Sequence, residues 1–368
     1  MDRRTFSKRL LGGLGASTLF GAAHGPGQSA QPHELAQQIP STGWITDVQG
    51  IKVGHYTDHR RPTGCTVVLC ENGATCGVDV RGGWPGTRLT DALDPVKGAS
   101  NTILVNAIVL SGGSNYGLAT ATGVERYLRE QYFQKLGSKA KDQPIAFAVP
   151  AAIIYDIELG DWTITPTAEN AYDACKMAAN GPVAEGNTGA GTGATIGKIF
   201  GMKQAMKSGL GTSSIKVGDS GVVVGAIAAV NALGDVINPH TGQIIAGARL
   251  ENRKGFLNEM AELRRGHGVQ PVQWNTTIGV VATNATFNKT EMNKIAQMAS
   301  AALARTINPV FTTYDGDTIF ATSTRMSNAK VEVGAIGAIA AEALAEAVLR
   351  AVIRADGLPG LPCHRDLL

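Results

Sequence analysis

The run Trp274-Asn275-Thr276-Thr277-Ile278-Gly279-Val280-Val281-Ala282-Thr283-Asn284 places hydroxyl residues at the head of an apolar stretch of strand length. Just upstream, residues 250–274 are polar and include Glu251, Arg253, Lys254, Arg264, Arg265 and His267. That stretch reads as a long exposed loop, and loops of this length are usually functional or disordered. The junction is a favourable place to cut the chain. A cut before Thr276 leaves a threonine as a new N-terminus. Such a residue supplies nucleophile and base together: Oγ attacks, and the α-amine takes the proton. An α-amine has an ordinary pKa of ~7.7–8.0, suited to neutral pH. Taken alone, the same residues also describe an ordinary strand start, and local sequence favours that simpler reading.

Other motifs carry less chemistry. Gly218-Asp219-Ser220-Gly221 has the look of a serine-protease nucleophile loop, but the matching Ala22-Ala23-His24 lies in or beside an N-terminal export signal, so no triad assembles. Ser220 is expected to be a turn residue. Gly189-Ala190-Gly191-Thr192-Gly193-Ala194 fits a dinucleotide fingerprint in spacing, yet no strand precedes it and no acid follows at the required distance. A glycine-rich site loop is the better reading. His55 and His59 sit beside Arg60-Arg61-Pro62, which implies a solvated turn rather than a helical metal site. Gly112-Gly113-Ser114-Asn115-Tyr116-Gly117 joins a strand to a helix, and its glycines could expose backbone N–H groups at the helix start.

The elements that must position these residues follow from periodicity. Strand-length apolar runs occupy residues 66–69, 103–110, 145–149, 222–230, 278–283 and 319–322. Several are continuous rather than alternating, so strands covered on both faces are expected. Helical patterns span 118–136, 168–179, 289–307 and 332–355, the third opened by the capping pair Asn288 and Glu291. This mixture predicts an α/β or α+β layered domain.

Composition narrows the class. Hydrophobic residues make up 43% of the 368 and charged residues 17%, which excludes a disordered chain or a charge-laced coiled coil. With 33 basic and 30 acidic side chains, the net +3 offers no electrostatic case for nucleic acid. The 46 glycines are well above the usual ~7% and follow no period, as in tight turns around a site. The five cysteines are an odd number and lack zinc spacing; burial as small hydrophobes is expected, with one disulfide open. Residues 1–30 read as a twin-arginine-type export signal: Arg3-Arg4-Thr5-Phe6, then a short apolar run, with cleavage after Ala23 or Ala30. A periplasmic protein without a membrane anchor is expected. The apolar stretch 333–355 carries Glu342, Glu346, Arg350 and Arg354, which suit a packed helix better than lipid.

Several longer motifs combine into a resemblance. They are Gly77-Val78-Asp79-Val80-Arg81-Gly82-Gly83-Trp84-Pro85-Gly86-Thr87-Arg88, Leu110-Ser111-Gly112-Gly113-Ser114, Val149-Pro150-Ala151-Ala152-Ile153-Ile154-Tyr155-Asp156, residues 185–193, the Asn275-Thr276 junction and Asp315-Gly316-Asp317. From about residue 45 to about 355 the chain resembles the self-processing L-aminopeptidase/D-Ala-esterase-amidases and β-peptidyl aminopeptidases. That resemblance implies a four-layer αββα sandwich, like N-terminal-nucleophile hydrolases but wired differently. It implies one domain over 31–368, cut into 31–275 and 276–368. It makes Thr276 the nucleophile, puts Tyr155 and Asn187 at the oxyanion, and has Asp315 and Asp317 orient the nucleophile and its amine. The Asp pair fits a threonine-type branch. Gly112, Gly113, Ser114 and Asp156 are weaker substrate-binding candidates. Some members carry a glutamate where Ile153 stands here, so amine recognition either moves to Asp156, Asp315 or Asp317 or is weaker.

The activity implied is acyl transfer to water from a short peptide, aminoacyl amide or ester, with no metal or cofactor, in a homo-oligomer of processed units. Two alternatives stand beside it: an acyltransferase of the ornithine acetyltransferase type, and an unprocessed periplasmic binding protein.

Overall fold

The structure is a computed structural model. It describes residues 43–97, 104–251, 255–269 and 274–367, which fall within one compact unit, Ile39–Leu368. The expected export signal over 1–30 lies outside the described residues.

The main sheet has nine strands: β1 (Lys52–Asp58), β2 (Thr63–Val80), β3 (Thr87–Arg88), β4 (Val105–Ser111), β5 (Ala151–Ile153), β6 (Leu210–Lys216), β7 (Val223–Asn231), β8 (Thr276–Ala285) and β9 (Thr318–Ser327). Their order is β3-β5-β4-β2-β9-β8-β7-β6, with β1 also paired to β2. The 18-residue β2 belongs to both halves. Its Cys65–Leu69 part pairs with β4, and its Thr75–Val80 part pairs with β9. Between these parts the register shifts and Glu71 and Asn72 are exposed, so β2 passes from one half-sheet into the other.

Three apolar clusters define four layers. The first lies between helices α1 (Thr120–Leu136) and α2 (Ala168–Met177) and the half-sheet of β4, where Val67, Leu69 and Val109 meet Val124, Leu128 and Ala174. The second fills the space between the half-sheets, with Val68, Ile108 and Leu110 on one side and Ile227, Ile278, Val280 and Phe320 on the other. A helix α3 (Glu259–Arg264) lies outside these layers. The third cluster joins β7, β8 and β9 to helices α4 (Lys289–Ala299), α5 (Ala301–Thr306) and α6 (Val333–Ile353) through Ala228, Val281 and Ile319 against Ile295, Leu303, Leu344 and Val348. Neighbouring residues such as Val67 and Val68, or Val280 and Val281, thus enter different cores. That is why these strands read as continuous apolar runs. The arrangement is the expected αββα sandwich.

The structure departs from sequence expectation at several elements. Residues 145–149 form no strand; only Ala148 bridges Val105, and the strand comes later, at Ala151–Ile153. The helix expected over 289–307 breaks at Ser300, whose hydroxyl donates back to the Ala296 carbonyl at 3.1 Å. The cap of α4 is as expected: Asn288 and Glu291 bond reciprocally. Strands β1 and β6 have too few apolar residues to stand out. In β6 the hydroxyls of Thr212 and Ser213 are buried because they donate to the carbonyls of Ala226 and Ala343, at 2.7 and 2.6 Å. His55 lies in β1 rather than in a solvated turn, its Nδ1 3.0 Å from the Thr66 hydroxyl. Burial pushes its imidazole down to about 4. All five cysteines are free and buried, so none is paired. Among the described residues, no helix is long and apolar enough to cross a membrane.

Candidate active site

Four elements end at one edge of the sheet. Strands β8 and β9 are parallel, Ile278 opposite Thr318, so both begin there. The antiparallel β7 and β2 finish there, with Asn231 opposite Thr276 and Val80 opposite Thr318. Thr276 is therefore a strand start, as its sequence suggests, and it is also buried, at 3% exposure.

The Thr276 hydroxyl donates to the carbonyl oxygen of Asn275, the residue before it. The same oxygen accepts the Gly316 N–H at 2.8 Å. The Asn275 N–H donates to the Tyr314 carbonyl at 2.8 Å, and Asn275 bridges Asp315 as one isolated parallel pair. The Asn275-Thr276 peptide is thus clamped on the Tyr314–Gly316 backbone. The motif around Trp84 holds that backbone from behind, with Arg81 N–H to the Asp317 carbonyl at 3.0 Å and Trp84 N–H to the Asp315 carbonyl at 2.8 Å. Two glycines permit the contact. A Cβ on Gly82 would come within 2.4 Å of the Asp315 carbonyl, and one on Gly316 would lie 2.6 Å from the Trp84 carbonyl and 2.9 Å from Thr276 Oγ1.

Asp315 and Asp317 are buried on either side of Gly316. Asp317 Oδ1 accepts the Thr277 N–H at 2.6 Å, and Oδ2 accepts the Phe311 N–H at 3.3 Å. Asp315 Oδ2 accepts from the Thr312 N–H and hydroxyl at 3.0 and 2.5 Å, and Oδ1 accepts from Leu233 N–H at 3.4 Å. Burial pushes both carboxyls above the usual range. Asp317 goes well above, since the Asp315 charge adds to its burial.

Tyr155 and Asn187 separate. Tyr155 joins the site through its backbone, where its carbonyl accepts from Asn231 Nδ2 at 3.0 Å. Burial pushes its phenol above the ordinary value. Asn187 does not stand opposite Thr276. Its amide is committed to Asp356, donating to the carbonyl at 2.9 Å and accepting the N–H at 3.2 Å, so it ties the glycine-rich loop to the chain beyond α6. The asparagine in register with Thr276 is Asn231.

Asp156 is likewise not free to receive a substrate amine. Its carboxylate accepts from Arg61 Nη2 at 2.9 Å, Gly113 N–H at 2.8 Å and the Thr63 hydroxyl at 2.7 Å, with both Arg61 and Asp156 side chains fully buried. Gly112 and Gly113 serve this carboxylate, and Ser114 N–H donates to the Ile154 carbonyl at 3.1 Å. These residues build the turn over β5 rather than offering donors to a ligand.

Comparison with known proteins identifies the family. The family described as Peptidase family S58 matches residues 44–365. The chain belongs to that family. It is a hydrolase of peptide bonds, and its S58 relatives include the uncharacterized aminopeptidase Rv1333 of Mycobacterium tuberculosis, 40% identical over 88% of this chain and 97% of that protein. The 6-aminohexanoate-oligomer endohydrolase of Kocuria sp. is 30% identical over 92% and 93%. Among solved structures, the L-aminopeptidase D-Ala-esterase/amidase of Ochrobactrum anthropi shares the fold with a TM-score of 0.64 at 22% identity, over 89% of this chain and 93% of that one. A Burkholderia sp. β-aminopeptidase does so with 0.62 at 21%, over 85% and 88%.

Three residues opposite Thr276 escaped sequence reasoning: Asn231 itself and its partners Lys198 and Thr195. Lys198 is fully buried and donates from Nζ to Asn231 Oδ1 at 3.0 Å and to the Asn231 carbonyl at 3.2 Å. Thr195 adds its N–H and hydroxyl to the same Oδ1 at 3.0 and 3.2 Å. With Oδ1 so occupied, Nδ2 is turned toward Tyr155, and one of its two hydrogens remains for another acceptor. Burial lowers the Lys198 ammonium to about 8, against the opposing pull of Glu158 and Asp315. Below it, Glu259 of α3 is fully buried and accepts the Ile199 N–H at 3.0 Å, so part of the polar 250–274 stretch is an anchored helix and not a solvated loop. The sequence signal was a lysine directly after Gly197, close behind the glycine-rich run.

Proposed function

We propose that this enzyme cuts itself between Asn275 and Thr276 and then works as an N-terminal-threonine aminopeptidase and amidase. One observation carries this: the Thr276 hydroxyl lies on the carbonyl it must attack, and the Gly316 N–H already donates to that carbonyl oxygen. Attack forms the Oγ–C bond and breaks the C–N bond, and the hydroxyl proton passes to the leaving nitrogen. The resulting ester is hydrolysed by water. The freed Thr276 then repeats the attack on a substrate, with its own amine as base. Charge developing on the oxygen meets the Gly316 N–H and, across the sheet, the amide of Asn231 backed by Lys198. Substrates are short peptides, aminoacyl amides or esters, turned over without a cofactor or a metal. The Arg3-Arg4 segment supports export to the periplasm, and the enzyme is expected to act there as a homo-oligomer of processed units.

Denaturing electrophoresis with N-terminal sequencing tests the reading. Wild-type protein should give two fragments, the smaller beginning Thr-Thr-Ile-Gly-Val. Thr276→Ala should remain one inactive chain, Thr276→Ser should retain some cutting, and Thr277→Ala should cut at the same bond. A Thr276→Ala protein that cuts and hydrolyses aminoacyl amides as wild type does would exclude Thr276 as nucleophile.

A further inference from the structure

Trp274, one residue before the bond proposed to break, is stacked on Trp84, with ring centroids 4.6 Å apart and planes inclined by 19°. Tyr314 lies against the same indole at 6.5 Å. Trp84 is nonetheless 61% exposed, so its ring is presented to solvent on a fixed backbone. That backbone belongs to the reacting centre. The Trp84 carbonyl and Thr276 Oγ1 both lie within 3 Å of the point where a Cβ on Gly316 would sit.

In the uncut chain, Asn275 supplies the acyl carbonyl and Trp274 is its N-terminal neighbour. Their contacts are therefore those of an acyl donor seated for attack. The acyl residue's N–H meets the Tyr314 carbonyl, its own carbonyl meets the Gly316 N–H, and the preceding ring lies flat on Trp84. After the cut, Trp274-Asn275 is the end of the large fragment and no bond holds it beside Thr276. The acyl residue's nitrogen faces a carbonyl, and the carboxylate of Asp156 is locked by Arg61. A donor whose acyl residue carries an amide N–H, as Asn275 does, reproduces that contact.

We propose that the Trp84 ring face is a subsite for an aromatic side chain on the residue N-terminal to the acyl-donating one. Beside its aminopeptidase action the enzyme then has a dipeptidyl activity, releasing aromatic-Xaa dipeptides in preference to dipeptides without a ring. This rests on the self-cleavage reading above, because the vacated face exists only once the chain is cut there. The reaction is unchanged: the same ester forms on Thr276 and the same water resolves it.

The test uses processed wild-type enzyme and three substrates: Ala-p-nitroanilide, Ala-Ala-p-nitroanilide and Phe-Ala-p-nitroanilide. Phe-Ala should have a KM about 2- to 10-fold below that of Ala-Ala with similar kcat, the size of one aromatic pair. Trp84→Ala should bring the two KM values together. A second readout needs no variant: acetyl-Trp-Asn should inhibit the wild type competitively, and about 2- to 10-fold better than acetyl-Ala-Asn. Hydrolysis of Ala-p-nitroanilide without a Phe preference, or a preference that survives in Trp84→Ala, overturns the subsite alone. A wild-type protein that remains one chain and hydrolyses none of the three overturns the self-cleavage reading and the subsite with it.

Discussion

Asn231 stands directly across the sheet from Thr276, as the last pair of an antiparallel ladder whose other members are all buried. The pairing sets an asparagine across from the threonine without any sequence proximity. It also makes the amide's orientation a matter of its own partners, Lys198 and Thr195 on the oxygen and the Tyr155 carbonyl on the nitrogen.

From this register we expect Asn231 and Asn187 to behave differently. Asn231→Ala removes a donor near the developing oxyanion and should lower turnover by ~10²–10³. Asn187→Ala removes only the tie to Asp356 and should leave the turnover of processed enzyme near wild type. Steady-state rates on one aminoacyl amide, measured with both variants, decide this. Near-wild-type turnover in Asn231→Ala would remove Asn231 from the site.

A pH dependence follows from Lys198, whose ammonium titrates at about 8 in the fold. Below that value it is charged beside Asn231, and above it the charge is lost. The rate of cutting in freshly refolded precursor should therefore fall above about pH 8. Precursor is the right species because it lacks the Thr276 amine, which would otherwise titrate nearby. Lys198→Met should slow cutting and abolish this alkaline limb. Stability has the opposite sense. Between about pH 8 and the ordinary lysine value Lys198 holds fewer protons in the fold than in the unfolded chain, so its own contribution to stability rises with pH there. In urea melts the stability of wild type relative to Lys198→Met should be greater at pH 10 than at pH 8, because Lys207 and the buried cysteines titrate alike in both proteins. An unchanged cutting rate from pH 7 to pH 10 would detach Lys198 from the chemistry.

Much of the layered core could be read along the chain because adjacent apolar residues such as Val280 and Val281 need two cores to enter. Thr276 could be read locally only as a strand start, a hydroxyl heading an apolar run, and its proposed role came from the resemblance. Asn231 could not. It sits at the end of an apolar strand, and only the β7–β8 register reveals what it faces. Asn187 drew attention because glycines surround it. Glycine gives a backbone freedom to approach something, and here that something is the end of α6: a Cβ on Gly186 would lie 2.3 Å from the Arg354 carbonyl. Asp156 misled in the same way, since an acid next to a site tyrosine gives no sign that Arg61 is already buried against it.

That buried pair makes a stability prediction. Arg61 donates to the Asp156 carboxylate, to the Asp156 carbonyl at 2.5 Å and to the Ile164 carbonyl at 2.7 Å. Arg61→Met leaves the Asp156 charge buried without its cation, and loss of one partner typically costs about 3–5 kcal/mol. Urea unfolding should show a loss of that order. A loss below about 1 kcal/mol, the range of an exposed pair, would mean that Asp156 finds water or another cation in the variant.

Gly316 separates the cut from the fold most sharply. Its N–H is the donor on the Asn275 carbonyl, and its missing side chain leaves the gap between the Trp84 carbonyl and the Thr276 hydroxyl. In Gly316→Ala a methyl would need space 2.6 Å from a backbone oxygen and 2.9 Å from the nucleophile. The Trp84 oxygen cannot move far, because Trp84 is tied to Asp315, whereas the Thr276 hydroxyl sits on a side chain that can turn while its backbone stays at the head of a central strand. The strain falls on the contact between hydroxyl and carbonyl, since rotating the threonine side chain is the cheapest way to relieve it. We therefore expect Gly316→Ala to fold, with far-ultraviolet circular dichroism like that of wild type, but to remain uncut after incubation that fully processes the wild type. Thr277→Ala, on the next residue of the strand, should cut under the same conditions. If Gly316→Ala processes at the wild-type rate, the close approach around Gly316 does not hold the hydroxyl on its target, and the Gly316 N–H loses its assigned part in the cut.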